Sequence, residues 1–342
     1  MVRPSRSRGR SRPELALALL IALLWSWSAT AHAEESGFIP ERGTIWTQLA
    51  WQFWRADERY AGPFGADLNF EGFVDPADPD PPTTALRVEV GDRVPIKLDV
   101  PGATFDNQAL FAKLRVVPLP RTMLRLSVPL YQRSVFQQAG TSIITEGTGD
   151  IETFIGYMVT PEGGAVGSAF YLHVKIPTTE IAFEDLSVPL SEGQVDVAVE
   201  HATSWAVIPR LHLTGRTLFR HRFEAEAEVG GATGRIKPGD EVELGAEVGG
   251  EPLPLLWMKT KYQGLWATTA EDRSIERDFR ALDKRQIHWW ALEGYYRFGA
   301  LLSPATEHLA VDLKLRYPLG GVDYLRGPLF YAGLSYQLNY LR

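Results

Sequence analysis

Apolar and polar side chains alternate with a period of two over most of the chain after residue 43, as in β-strands with one apolar face. In the C-terminal segment, Phe330, Leu334 and Tyr336 share one face, while Gln337 and Asn339 lie on the other. The same alternation predicts twelve strands, at residues 44–55, 107–117, 122–133, 150–160, 166–177, 194–207, 210–221, 241–249, 255–267, 287–298, 308–318 and 329–341. Each is close to the roughly 9–11 residues that a tilted strand needs to cross a bilayer.

The connections between these segments alternate in length. Those after even-numbered segments are short, such as 118–121, and each contains proline, which cannot donate a hydrogen bond to a strand ladder. Those after odd-numbered segments are generally longer. Outer-membrane barrels have this asymmetry, with short periplasmic turns and long outer loops. We therefore predict an all-β fold, a single up-and-down antiparallel transmembrane β-barrel of twelve strands.

The longest connection contains a predicted extracellular loop over residues 61–105. Inside it, residues 86–90 and 96–100 alternate in the same way around Gly91 and Asp92, which predicts a hairpin. This hairpin stands above the barrel, folds inward as a constriction, or adds two strands to make fourteen. One hypothesis is that it gates the pore.

The first 33 residues have the features of a cleaved signal peptide. Five arginines precede an apolar stretch from Leu15 to Trp25, and Ala31-His32-Ala33 supplies small residues for cleavage. We expect the mature chain, residues 34–342, to be the barrel. The expected location is the outer membrane of a Gram-negative bacterium. The expected partners are outer-membrane lipid, the barrel assembly machinery and an unidentified small-molecule solute.

Composition narrows the classes of function. The chain has no cysteine, which excludes disulfide frameworks and zinc–thiolate sites. Beyond residue 33 it has 30 basic against 41 acidic residues, a balance that argues against a nucleic-acid binder. No nucleotide motif or metal-binding spacing of histidines occurs, so we expect neither a cofactor nor a bound metal.

Strand parity sorts the charged residues onto the inner face of the barrel. With Lys113, the predicted lumen-lining set is Arg115, Arg125, Glu152, Lys175, Asp196, Glu200, Arg216, Arg220, Glu243, Glu247, Lys259, Lys261, Glu293, Arg297, Asp312, Lys314 and Arg316. From the sixth to the ninth segment the signs alternate between neighbouring strands, which places opposite charges across each pair. Such a set either lines a water-filled path or forms a salt-bridge network that keeps a polar lumen rigid, and both can hold together.

Aromatic residues are concentrated in segments 44–55 and 287–298. Interfacial girdles account for most of them. Inward parity singles out Trp54, Trp257, Trp289 and Tyr295, which could stack flat solutes along a path.

An outer-membrane hydrolase is the competing enzyme class. Nucleophilic catalysis needs a serine within hydrogen-bond reach of its base. The nearest grouping is His201 and Ser204, which parity places on opposite faces. We therefore predict no catalytic residues and no enzyme.

A series of short motifs at strand ends resembles a known family. In order, these are Gly147-Thr148-Gly149-Asp150-Ile151, Lys175-Ile176-Pro177-Thr178, Glu192-Gly193-Gln194, Lys237-Pro238-Gly239-Asp240-Glu241, Tyr317-Pro318-Leu319 and Gly333-Leu334-Ser335-Tyr336. The series is similar to the MetA-pathway phenol-degradation family of Gram-negative outer-membrane proteins from about residue 105 to the end. That resemblance implies a transporter.

The sequence thus favours an outer-membrane channel for passive diffusion of small molecules, with aromatic or hydrophobic ones as candidates. The alternative is a structural or surface-interaction barrel whose lumen is closed by its salt-bridge network.

Overall fold

A computed structural model describes residues 38–56, 58–60, 104–138, 141–178, 181–182, 193–208, 210–229, 232–237, 239–268, 271–272, 286–303, 306–322 and 324–341. The predicted signal peptide lies outside these residues, as does nearly all of the loop 61–105 with its hairpin.

Twelve antiparallel strands form one sheet. They are β1 (Thr44–Ala56), β2 (Thr104–Leu119), β3 (Thr122–Gln138), β4 (Ile151–Met158), β5 (Val166–Ile176), β6 (Asp196–Ile208), β7 (Leu211–Arg222), β8 (Glu241–Leu253), β9 (Leu256–Ala267), β10 (Gln286–Tyr296), β11 (Leu309–Val322) and β12 (Leu329–Asn339). Each strand pairs with its neighbours in the chain, and β1 pairs with β12 from Thr44↔Asn339 to Trp54↔Leu329. The sheet is therefore closed into a barrel, which confirms the predicted fold class.

The predicted strand positions agree closely with the structure. The largest extension is in β3, predicted to end at residue 133 but continuing to Gln138. A bulge at Leu110/Phe111 shifts the register between β2 and β3, so the alternation changes phase in this upper part. The tenth segment is shorter than predicted, because Phe298–Leu301 forms a 3-10 turn after β10.

Several short strands lie outside the twelve. Thr141–Gly147 pairs with the upper part of β3, above the part of β3 that pairs with β4. Ala225–Val229, Ala232–Lys237, Ile181–Ala182 and Glu271–Asp272 form a small sheet, and Glu58–Tyr60 pairs with Tyr324–Arg326. All of them belong to the long connections, which places them at the extracellular end.

The outer surface of the barrel is apolar. Leu49, Leu126, Leu172, Val199 and Leu313 all point outward and are exposed. Positions between them point inward and include most of the buried charged side chains. This arrangement suits a barrel with lipid outside and a polar lumen inside. No helix among the described residues is long and apolar enough to cross a membrane.

The segment before β1 enters the periplasmic end of the lumen. Ile39 packs into an apolar cluster with residues of β2 to β6, namely Val117, Met123, Phe154, Met158, Ala169, Tyr171 and Ala202. Phe38 reaches the ring of His212 on β7, with ring centroids 6.0 Å apart. Segment 38–43 therefore occupies part of the periplasmic mouth.

Candidate functional site: the barrel lumen

A cavity of about 550 Å³ lies in the lumen. Its lining combines charged, amide and aromatic side chains from β1 to β5 and from β7 to β12. Of the predicted lumen set, it is lined by Arg115, Arg125, Glu152, Arg216, Arg220, Glu243, Lys259, Lys261, Glu293, Asp312, Lys314 and Arg316, as well as Lys113. The alternation of the strands places these side chains inside, because successive residues point to opposite faces.

One part of the lumen wall, which we call the paired wall, holds its charges in salt bridges. It consists of Asp150, Lys175, Asp196, Glu200, Arg216, Arg220, Arg222, Glu241, Glu243, Glu247, Lys259, Glu293 and Lys314. The central cation is Arg216, whose Nη2 lies 3.1 Å from Glu200 Oε2 and 3.2 Å from Glu243 Oε1. Glu293 likewise bridges Lys259 at 3.0 Å and Lys314 at 2.5 Å.

The remaining part, which we call the ring-backed wall, places cations against aromatic rings. The Arg115 guanidinium lies 4.9 Å from the Trp46 ring centroid, and Arg125 lies 4.9 Å from Phe154. Arg316 lies 4.8 Å from Trp289, and Lys113 Nζ lies 4.6 Å from Tyr331. These distances are within the range of cation–π attraction.

Amide and hydroxyl groups link the ring-backed wall to the Asp312 carboxylate. Gln48 Nε2 donates to Asp312 Oδ2 at 2.8 Å, and the Tyr331 hydroxyl donates to Gln48 Oε1. This chain of hydrogen bonds crosses β1, β12 and β11, so it positions the Asp312 carboxylate from the neighbouring strands.

The other predicted lumen residues do not line the main cavity. Lys175 and Asp196 line a second cavity of about 40 Å³ near the extracellular end, with Nζ and Oδ2 only 2.6 Å apart. Glu200 is fully buried beside Arg216, and Glu247 bridges Lys259 at 3.4 Å. Arg297 lies one residue past β10 in the periplasmic turn.

Three of the four predicted aromatic residues line the main cavity. They are Trp257, Trp289 and Tyr295, all largely buried. Trp289 Nε1 donates to Gln263 Oε1 at 2.8 Å, which fixes the indole that Arg316 covers. Trp54 lies instead near the extracellular end, where its Nε1 donates to the Gly327 carbonyl at 3.2 Å.

Sequence reasoning missed three important residues of the lumen. Arg222 is 1 % exposed and bridges Glu241 at 3.1 Å, and Trp46 backs Arg115. The period-two alternation could have identified all three residues. Arg222 lies on the same strand face as Arg220, Glu241 on the same face as Glu243, and Trp46 on the same face as Trp54.

A serine–histidine contact lies on the outer face of the barrel. Ser168 Oγ is 2.9 Å from His201 Nε2, which also lies 3.3 Å from Thr203 Oγ1. Among the described residues, no carboxylate is recorded against this imidazole to orient it as the base of a catalytic triad. The contact satisfies polar groups on a lipid-facing surface and gives no support for a hydrolase.

The fold, but not the sequence, is similar to that of known proteins. No family model and no curated protein matches the sequence. Among solved structures, the COG4313 outer membrane channel from Pseudomonas putida F1 is similar with a TM-score of 0.66 and 10 % identity, covering 90 % of this chain and 100 % of that one. The chain has the fold of an outer-membrane channel.

Two further likenesses are weaker. The translocator domain of the autotransporter NalP from Neisseria meningitidis has a TM-score of 0.43 at 9 % identity, covering 94 % of this chain and 96 % of that one. A mutant of the monoaromatic hydrocarbon channel TodX has a TM-score of 0.41 at 8 % identity, covering 89 % of this chain and 92 % of that one. The MetA-pathway resemblance therefore stays a prediction, because no family model matches.

The closed barrel with an apolar outside is an outer-membrane protein. Both the fold match and the exposed leucine-rich surface agree with this location.

Proposed function

We propose that the protein is a passive channel through which small molecules diffuse across the outer membrane. The observation that carries the proposal is the lumen cavity of about 550 Å³ with its charged, amide and aromatic lining. A barrel that served only as a scaffold would have no need for a space of this size, which lies in the range of small-molecule sites. The predicted lumen-lining residues are proposed as the walls of the path.

Aromatic or hydrophobic molecules are proposed among the solutes. Trp257 and Tyr295 line the cavity side by side, Trp289 lines it further along β10, and flat rings can stack against each of them. Outer-membrane lipid and the barrel assembly machinery remain the proposed partners, since any transmembrane barrel needs both.

The second candidate is a structural or surface-interaction barrel with a closed lumen. Two observations favour it: the paired wall joins β5 to β11 through salt bridges, and Ile39 fills part of the periplasmic mouth. Under this alternative, the cavity is an enclosed space rather than part of a path.

Conductance and solute flux separate the two candidates. Residues 34–342 are refolded into lipid, and ion conductance and phenol uptake are compared with protein-free vesicles. Steady conductance, or phenol uptake above the vesicle background, is expected for a channel. A correctly folded barrel that passes neither supports the closed barrel, and the same measurement without residues 76–100 tests whether the predicted hairpin is a gate.

A further inference from the structure

The lipid-facing surface carries a group of polar side chains on three neighbouring strands. We call it the outer polar patch, and it consists of Ser168 on β5, His201 and Thr203 on β6, and Thr217 on β7. The strand register pairs Ser168 with Thr203 and His201 with Thr217, so the four side chains lie side by side. They occupy outward strand positions, like the exposed Val199 on β6.

Polar side chains are unusual at this place on a barrel exterior. Near the centres of other strands, the outward positions hold exposed aliphatic residues, such as Leu49 on β1, Val248 on β8 and Leu334 on β12. Lipid tails offer no hydrogen bonds, so a hydroxyl or imidazole group that faces them needs a partner within protein. The hydrogen bonds of the outer polar patch are therefore informative.

Only part of the outer polar patch is hydrogen-bonded within one copy of the chain. Ser168 Oγ and Thr203 Oγ1 both contact the same imidazole nitrogen, His201 Nε2, at 2.9 Å and 3.3 Å. Among the described residues, no side-chain hydrogen bond reaches the second nitrogen, Nδ1, or the Thr217 hydroxyl. Two hydrogen-bonding groups thus remain on a surface where lipid tails cannot bind them.

A second polar group on the outer surface is in the opposite state. On β9 and β10, Trp290 Nε1 donates to Thr260 Oγ1 at 2.6 Å, and the Tyr262 hydroxyl lies 2.6 Å from His288 Nδ1. The Nε2 atom of His288 contacts the Gln286 amide. Both nitrogens of this imidazole have partners in the same copy of the chain, which is the arrangement expected of a histidine that faces lipid alone.

Gly215 on β7 leaves room beside the outer polar patch. It lies in register with Thr203, and a side chain added to it would meet no atom within 4 Å. Two convex barrels touch only along a narrow strip, so a missing side chain within that strip lets the two backbones approach closely. His201, Thr217 and Gly215 all lie on the adjoining strands β6 and β7, which form a strip of this width.

We propose that two copies of this chain associate in the membrane through β6 and β7. Both copies insert in the same direction, so the two-fold axis runs along the membrane normal and passes between these strands. It places His201 of each copy opposite Thr217 of the other. A neutral imidazole has one donor and one acceptor nitrogen and a hydroxyl is both, so the groups match whichever nitrogen carries the hydrogen. A second copy is the occupant because the patch is its own complement.

Association is measured by energy transfer between labelled barrels in lipid vesicles. Because the chain has no cysteine, Glu307→Cys in the exposed turn before β11 provides a single labelling site. Donor-labelled and acceptor-labelled barrels of residues 34–342 are refolded together and then diluted with lipid. We expect energy transfer that decreases on dilution and fits an equilibrium between monomer and dimer, whether or not the lumen conducts.

One pair of variants tests the hydrogen bonds. His201→Leu combined with Thr217→Val is expected to weaken dimerisation about tenfold, the effect of two symmetry-related hydrogen bonds in a membrane. His288→Leu combined with Thr260→Val makes the same changes on β9 and β10 and is expected to leave dimerisation unchanged. Native-like β-sheet circular dichroism is required of each variant before its association is compared.

A second pair of variants tests the close approach. Gly215→Leu fills the space beside the outer polar patch and is expected to weaken dimerisation about tenfold or more. Gly294→Leu is the matched control, because Gly294 lies in register with the lipid-facing Leu313 and an added side chain there also meets no atom within 4 Å.

The outcomes decide whether this face is the interface. Weaker association of the β6–β7 variants alone supports the proposal. A barrel that stays monomeric at every lipid ratio overturns it. A stoichiometry other than two overturns it as well, and so does a dimer that the β6–β7 variants and their controls affect equally.

Discussion

The two walls of the lumen hold positive charge in different ways. On the paired wall, Arg216 and Arg222 are almost completely buried and contact carboxylates from neighbouring strands. On the ring-backed wall, Arg125 and Arg316 lie against Phe154 and Trp289. Both kinds of arginine point from a β-strand into the lumen, so an inward position alone does not decide which residues they contact. What distinguishes the ring-backed arginines is a contact with the face of an aromatic ring.

This difference separates two tasks within one barrel. A buried salt bridge is costly to break, because removal of one partner leaves the other charge buried and uncompensated. The loss of a cation–π contact is by itself less costly, since the ring is neutral and packs without the cation. The paired wall is therefore expected to contribute more to the stability of the folded barrel than the cation–π contacts of the ring-backed wall.

The largest expected effect comes from Arg222→Met. Loss of this cation leaves Asp196 and Glu241 without one of their partners in a buried site, so we expect about 3–5 kcal/mol of destabilisation. Arg125→Met, the same change on the ring-backed wall, is expected to cost about 0.5–2 kcal/mol. Denaturant unfolding of both variants in lipid vesicles measures the free energies. Equal losses would remove the distinction between the walls.

The next prediction concerns the lipid-facing surface, and it provides a reference for the loss of stability expected from Arg222→Met. Leu313→Arg puts a charge on the apolar exterior, where Leu313 is 57 % exposed, and is expected to cost about 2–4 kcal/mol near the midplane. The neighbouring change Lys314→Gln is expected to cost less, since Lys259 still bridges Glu293. Unfolding free energies of the pair check this, and similar losses would mean that the assigned faces are wrong.

Ion selectivity gives a sharper comparison of the walls. Arg115→Glu combined with Arg125→Glu is expected to shift the ion preference of a conducting barrel towards cations, because it reverses charges that line the cavity. Lys259→Gln is expected to change it less, since Lys259 lies between Glu247 and Glu293. Reversal potentials in a salt gradient measure both. A larger shift from Lys259→Gln would contradict the assignment.

The smallest expected effect is that of Tyr331→Phe. This change removes one hydroxyl that donates to Gln48 while the ring under Lys113 remains. We expect a loss of about 0.5–1.5 kcal/mol, typical of one hydrogen bond, with no change in ion selectivity. Unfolding and reversal-potential measurements on the same preparation test both parts, and a changed selectivity would show that the hydroxyl also positions the charges.

The sequence was sufficient for the strands because burial on a barrel has a period of two. It was less informative where that period breaks or where strand ends matter. Because the bulge at Leu110/Phe111 changes the phase of the alternation, the strand predicted for β3 ended at residue 133. The strand predicted for β7 ended at residue 221 and therefore did not include Arg222. Trp46 shares the parity of Trp54, yet a girdle accounted for it equally well until Arg115 was placed over its ring.

Pairing partners within the lumen could be anticipated only in part. Alternating signs on neighbouring strands predicted contacts such as Arg216 with Glu200 and Glu243. The ring-backed wall could not be predicted in the same way, because the side-chain direction of Arg316 towards Trp289 depends on strand stagger and on Gln263. Contacts of this kind require the three-dimensional register.

The segment before β1 has a geometric consequence for the size of any solute. In a ring of twelve strands, β7 lies opposite β1, and Phe38 reaches His212 on β7 while Gly43 leads into β1. The six residues 38–43 therefore reach from β1 to β7 across the periplasmic mouth, and Ile39 packs against the wall formed by β2 to β6. We expect any molecule that passes this end to do so on the side of β8 to β12, through less than the full width of the barrel.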